Sequence, residues 1–248
     1  MNGAAAPPPR ATSFRAGCLG VALVALVAWW PLSAYWQSDD FLAVTYAADW
    51  RRALADFTGN QYGTPALVWF YRPLITLSFA IDAWLGGADP FVAHCSNVVA
   101  HAVSTVLVAL LGRRLLGAGP GLGLALLFSL WPAHAGSILW AVGRVDSHTT
   151  MWILLACFAT VRWLDSGRGR TLALGAFALA LLSKELAFVT PVLAGLLGFA
   201  LGAPGARVRR AWQAAWPLLV LFAVYLVWRR IVLGRFVGGY QDAAFEPV

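Results

Sequence analysis

The sequence predicts an all-α fold, a polytopic transmembrane helical bundle of about seven spans. Three observations predict it. Of the 248 residues, 60% are hydrophobic and only 12% are charged, about half the charged share of a soluble domain, and the mean hydropathy is +0.70. Several apolar runs approach the ~20 residues that cross a bilayer. The arginines stand in short groups between those runs, as topology signals do. The net charge of +7 therefore points to lipid headgroups as partners and not to nucleic acid.

The N-terminal "MNGAAAPPPRATSFR" is polar and Pro-rich, so residues 1–15 are expected to be disordered and cytoplasmic. The apolar run 16–36 follows Arg10 and Arg15. It is long for the apolar region of a signal peptide and no small-x-small cleavage site follows, so it reads as an uncleaved first span of a transmembrane domain covering 16–248. Further spans are expected at 94–112, 119–139, 147–164, 171–183, 186–203 and 212–228. With the N-terminus inside, the cytoplasmic turns hold Arg113 and Arg114, then Arg168 and Arg170, then Arg207, Arg209 and Arg210, which obeys the positive-inside rule. Of the acidic residues only Asp165 joins them.

Between the first two spans lies an outer loop, 37–70, long enough to be functional. "YRPLITLSFAIDAWL" follows and reads as a juxtamembrane helix over 71–87, because a further pass would turn Arg113 and Arg114 outward. The long run from Thr171 to Gly202 carries "SKE" in its middle. It reads as two short passes, with Lys184 and Glu185 at the outer turn and Pro191 just inside the returning helix.

Apart from Arg162, inside the 147–164 run, the remaining cations, Arg51, Arg52, Arg72, Arg144, Lys184, Arg229, Arg230 and Arg235, all fall outside. Charges set against the usual bias invite a functional explanation. In "SDDF", Asp39 and Asp40 are adjacent and point about 100° apart on a helix, so one of them reaches a given substrate atom. The other reading is an Asp that caps the following helix. "FVAHCSNVVAH" sets His94, Asn97 and His101 along one helix. The two histidines lie about 10.5 Å apart along its axis, too far for one metal ion, so the stripe lines a cavity or forms a helix–helix hydrogen-bonding face. "WPAHAGSILWAVGRVDSH" brings His134, Arg144, Asp146 and His148 to one outer turn, and "LLSKELAFVTP" supplies Lys184 and Glu185. The simplest structural pairs are Arg144 with Asp146 and Lys184 with Glu185. Cys18, Cys95 and Cys157 sit in apolar runs without metal spacing. No metal and no cofactor is expected.

In this order, "DDF", "YRPL", "PFVAHCSNVVAH", "GRVD" and "LLSKELAFVTP" resemble the GT-C class of membrane glycosyltransferases. They are most similar to the polyprenyl/dolichyl-phosphate-mannose-type protein O-mannosyltransferases that often carry tetratricopeptide repeats. The resemblance covers roughly residues 35–191. It implies an inverting transfer of a sugar from a polyprenyl-phosphate donor to a hydroxyl of a protein or glycan acceptor at the outer membrane face. Asp39 or Asp40, with Asp40 favoured, is then the general base. Arg72, Arg144 and Lys184 are expected on the donor phosphate. His94, Asn97, His101, His134, Asp146 and Glu185 are expected to line the substrate cavity, with membrane lipids around the bundle. The chain departs from the family's His-Pro-x-His-x-Glu pattern, because Trp131 replaces the first His and Gly136 the Glu, while Pro132 and His134 remain. The expected location is a bacterial inner (plasma) membrane, with the chain incomplete at its C-terminus. Two other readings stay open: a non-catalytic or truncated subunit, and a transporter switched by Lys184 and Glu185. The transporter reading calls for internal repeats that the sequence does not display.

Overall fold

The structure, a computed structural model, describes residues 11–31, 33–64, 69–236 and 238–239. Among them every regular element is helical. Helix α1 (Ala11–Ala28) begins earlier than expected, so residues 11–15 are helical, while residues 1–10 lie outside the described residues. The 37–70 loop folds into α2 (Asp40–Ala47), α3 (Trp50–Ala55) and a 3₁₀ turn (Gln61–Gly63). Next come α4 (Pro73–Gly86) and α5 (Pro90–Leu116), each opened by a proline whose missing N–H costs nothing in the first turn. The side chain of Asp89 caps α5 by accepting from the Phe91 N–H at 2.9 Å. Then α6 (Ala118–Leu130) bends by 49° at Pro132 into a 3₁₀ turn and the short α7 (Ala135–Ile138). Helix α8 (Arg144–Ser166) ends at Gly167 in the left-handed conformation. Helix α9 (Arg170–Leu181), a 3₁₀ turn (Glu185–Val189), α10 (Thr190–Ala200) and α11 (Arg207–Leu233) follow, the last of the described elements.

The seven expected apolar segments all overlap helices, but 16–36 runs past the end of α1 at Ala28 and 119–139 is split between α6, a 3₁₀ turn and α7; the juxtamembrane segment overlaps α4. Among the described residues only α5 and α11 are long and apolar enough to cross a membrane; the bent α6–α7 pair makes a third if counted as one span, and α8, over the span expected at 147–164, is not among them. Helices α1, α9 and α10 are apolar but shorter. Large apolar side chains such as Leu19 and Val208 stand about three-quarters exposed, as they do on a surface solvated by lipid. The protein is therefore a helical membrane protein. Cys157 is buried in α8, and Cys18 and Cys95 are half-buried.

Charge sorts to two ends. Asp165 pairs with both Arg114 and Arg210, which gathers the α5–α6, α8–α9 and α10–α11 turns. Arg113 stacks on Phe14, bringing the start of α1 to the same end. The 37–70 loop, α7 and the 183–189 turn meet at the opposite end, where Asp40 bonds Val142 and Arg72 pairs with Glu185.

Helices α5 and α6 touch backbone to backbone at Gly112 and Gly121. A Cβ on Gly121 would lie 2.5 Å from the Arg113 nitrogen. Gly121→Ala is therefore expected to lower the melting temperature, by an overpacking cost of about 1–3 kcal/mol. Gly123→Ala, on the same helix but facing open space, is expected to be neutral or stabilising because alanine is the better helix former. Thermal denaturation of the two purified variants in one detergent checks the pair. Equal melting temperatures would remove the close approach from the account.

Candidate active site

The pair Asp39–Asp40 divides at the start of α2. Ser38, just before it, has a left-handed backbone (φ 49°), which a non-glycine residue adopts only at a cost. Asp40 turns inward and is fully buried. Its Oδ2 accepts the Gln37 N–H at 3.0 Å and its Oδ1 accepts the Val142 N–H at 2.8 Å. Both oxygens are thus engaged, and the carboxylate ties the first outer loop to the turn before α8. Burial raises the Asp40 pKa, opposed by those two N–H donors and by the charges of His94 and Arg144. Asp39 points the other way, exposed, and makes no capping bond to α2. Asp40, the carboxylate the sequence favours, is thus enclosed, and Asp39 is the one of the pair that faces open space.

That space is a cavity of about 620 Å³. Asp39, Gln61 and Tyr62 line it from the first outer loop, Arg72 from the start of α4, and Trp140 and Asp146 from the α7–α8 region. Its floor is fixed by Asp56, a buried acid in the loop. Asp56 accepts from the Tyr46 hydroxyl at 2.9 Å, the Tyr62 N–H at 3.1 Å and the Thr76 hydroxyl at 2.5 Å. Burial raises its pKa, and these three donors counter the rise. Tyr62 is left-handed (φ 56°). Among the described residues, Ser38 and Tyr62 are the two non-glycine residues with positive φ, and one flanks and the other lines this cavity. Strain of this kind, about 1–3 kcal/mol each, gathers at functional sites.

The three cations expected to converge do not behave alike. Arg72 reaches the cavity. Its Nε and one terminal nitrogen both donate to Glu185 Oε2, at 3.0 and 2.9 Å, and its plane stacks on Phe70. Lys184 pairs with Asp146, at the cavity rim. Arg144 turns away into the protein and is fully buried. It pairs with Asp82 at 2.6 Å, donates to the Ser78 hydroxyl at 3.0 Å and to the Ala93 and Ala141 carbonyls, and lies over the Phe79 ring. Its guanidinium is held wholly by α4, α5 and the turn before α8. The simple pairs also fail. Arg144 and Asp146 are two apart in the first turn of α8, a spacing that does not face, and Lys184 and Glu185 are adjacent.

The polar stripe of α5 also faces backbone rather than cavity. His94 Nε2 donates to the Tyr35 carbonyl at 3.2 Å, Asn97 Nδ2 to the Trp140 carbonyl at 2.9 Å, and His101 Nε2 to the Ser129 carbonyl at 3.1 Å. All three are buried, and these bonds tie α5 to the chain at Tyr35, the turn before α8 and the end of α6, while the Asn97 Oδ1 has no partner among the described residues. The His134 ring packs 4.6 Å from Phe128 and 5.1 Å from His101. With Ser147 and Asp146 it borders a hollow of about 30 Å³, the size of one water, beside the main cavity. Glu185 sits behind Arg72 and also accepts from Arg229 at 3.2 Å.

Sequence reasoning missed Asp56 and Asp82, and it placed Arg229 among the outer cations without a partner. An acid inside "SFAIDAWL" was a usable signal, since an ionisable group in an apolar run needs a partner. Asp56 carried none. Among the described residues no cluster of His, Cys, Asp or Glu has the geometry to hold a metal ion.

Comparison with known proteins adds a second line. The family model described as dolichyl-phosphate-mannose-protein mannosyltransferase matches residues 65–229. That stretch includes Arg72, Asp146, Lys184 and Glu185, and Asp39 lies before it. Protein O-mannosyl-transferase Tmtc1 of Drosophila melanogaster is 35% identical over 191 residues, covering 73% of this chain and 22% of that protein. Protein O-mannosyl-transferase Tmtc2 of the same organism is 32% identical over 70% of this chain and 20% of its own length. Mouse TMTC1, another protein O-mannosyl-transferase, is 33% identical over 48% of this chain. The chain thus spans about a fifth of the length of the first two relatives. No solved structure matches it.

Proposed function

Because the chain belongs to the dolichyl-phosphate-mannose-protein mannosyltransferase family, we propose that it transfers a mannosyl group from a polyprenyl- or dolichyl-phosphate donor to a hydroxyl of a protein acceptor. The observation that carries the reading is a single cavity with a free carboxylate, Asp39, on one wall and a guanidinium, Arg72, on another. The acceptor oxygen attacks the anomeric carbon as the bond from that carbon to the phosphate oxygen breaks. The phosphate leaves with the electron pair, and the hydroxyl proton passes to Asp39. Attack from the face opposite the phosphate inverts the anomeric centre. Arg72 meets the charge that develops on the leaving phosphate. Two of its nitrogens are spent on Glu185, and the third has no partner among the described residues, so it is free for an oxygen of the donor. Arg229 and Glu185 hold Arg72 in place. Lys184 pairs with Asp146 at the rim, where an acceptor can meet it. Placing the cavity at the outer face, with the N-terminus inside, rests on the arginines gathered at the opposite end.

Arg72→Gln tests the phosphate contact. A charge-assisted hydrogen bond is worth roughly 1.5–3 kcal/mol, so affinity for dolichyl phosphate is expected to fall about ten-fold or more. Arg72→Lys is expected to recover part of the loss, because lysine is a point charge without the planar fork. Binding of dolichyl phosphate to the purified, folded variants checks this. Unchanged affinity in Arg72→Gln would take Arg72 out of the site.

A further inference from the structure

At the end of the bundle away from the cavity, α8 carries Phe158, Val161, Arg162 and Asp165 at i, i+3, i+4 and i+7. These positions form one stripe, and it runs from apolar to charged toward the helix end over about 10.5 Å. With Arg114, Ser166 and Arg168, the stripe lines a notch of about 500 Å³. One oxygen of Asp165 pairs with Arg114 and the other with Arg210, so this acid is fully used. The side chains of Arg162 and Arg168 are exposed and have no ion-pair partner among the described residues. Four arginines stand against one aspartate.

A notch with surplus guanidinium charge at its mouth and Phe158 and Val161 along its deeper wall suits an amphiphile. A soluble anion would use the cations and leave the apolar wall bare. We propose that the notch binds an anionic glycerophospholipid from the adjacent leaflet, its phosphate on Arg162 and Arg168 and an acyl chain along Phe158 and Val161. The lipid closes over the point where Asp165 already joins three inter-helix turns, and so braces the end of the bundle opposite the cavity. This site is independent of the transfer reaction.

The test is native mass spectrometry of the purified full chain with added phosphatidylglycerol or phosphatidylcholine. Phosphatidylglycerol is expected to stay bound under conditions that strip phosphatidylcholine. Each arginine near a lipid surface contributes about five-fold in affinity, so Arg168→Gln should weaken binding about five-fold and the Arg162→Gln/Arg168→Gln double variant about 25-fold. Arg168→Gln tests the idea even if the double variant folds poorly, because the Arg168 side chain holds nothing else in the structure. Arg209→Gln removes an exposed charge at the same end but outside the notch, and should leave binding unchanged. Equal retention of the two lipids, wild-type binding in Arg168→Gln, or an equal loss in Arg209→Gln would each overturn the site. Displacement of the lipid by glycerol 3-phosphate at matched concentration would overturn the acyl-chain contact and leave a plain phosphate site.

Discussion

Asp39→Asn is expected to remove nearly all mannosyl transfer and leave the chain folded. The carboxylate is exposed on the cavity wall, and its only side-chain partner among the described residues is the neighbouring Ser38 hydroxyl, at 3.4 Å. Asparagine keeps the size and removes the basicity. Losing a positioned general base costs about 10²–10⁴ in rate, so kcat should fall by that factor with KM for the donor little changed. Asp40→Asn should behave differently. It disturbs a buried carboxylate that accepts two N–H bonds, from Gln37 and from Val142, and the amide can accept well with only one of its two ends. Folded yield and transfer should fall together. Steady-state kinetics beside size-exclusion profiles for both variants separates the two roles. Wild-type kcat in a folded Asp39→Asn protein would end the assignment of Asp39 as base.

Arg144→Gln is expected to be the most destabilising single substitution at this end of the molecule. The guanidinium is fully enclosed, and its partner Asp82 is nearly so. Removing one member of a buried pair leaves the other charge without compensation, at a cost of about 3–5 kcal/mol. The Ser78 hydroxyl and the Ala93 carbonyl lose a donor as well. Asp82→Asn in the same chain should restore part of the folded protein, since it removes the stranded charge, whereas Asp146→Asn should not. Thermal denaturation of the two double variants checks the partner. A rescue by Asp146→Asn that exceeds the rescue by Asp82→Asn would contradict the pairing. Whatever fraction of Arg144→Gln folds should bind dolichyl phosphate as the wild type does, because none of the Arg144 donors faces the cavity.

The helices were legible because each long apolar run is its own signal. One charged break was also legible. Lys184 and Glu185 interrupt an apolar run, and the helices stop on either side of them. The number of crossings was not, because α1, α9 and α10 fall short of the length that settles a span. At the site, the divergence of Asp39 and Asp40 follows from helical geometry, but which one turns inward depends on Val142, about a hundred residues away. The partner of Arg144 was hidden for the same reason. Asp146 is near in sequence yet lies on a different face of α8, while Asp82 comes from another helix. The histidines of α5 could be placed on one stripe, but no pattern in the sequence says that their partners are the carbonyls of Tyr35 and Ser129. Charge asymmetry survived best, since Arg114 and Arg210 meet at Asp165 as the turn assignments require.

On the proposed function, donor sugar and acceptor meet in the cavity between the 37–70 loop and the α7–α8 turn. Photolabelling with a dolichyl-phosphate mannose that carries a diazirine on the sugar tests it most directly. The account predicts label on peptides containing Asp39, Gln61–Gly63 and Trp140–Asp146, suppressed by excess dolichyl phosphate. Label confined to the apolar groove between α10 and α11, around Pro191 and Trp212, with these peptides unmodified, would contradict it.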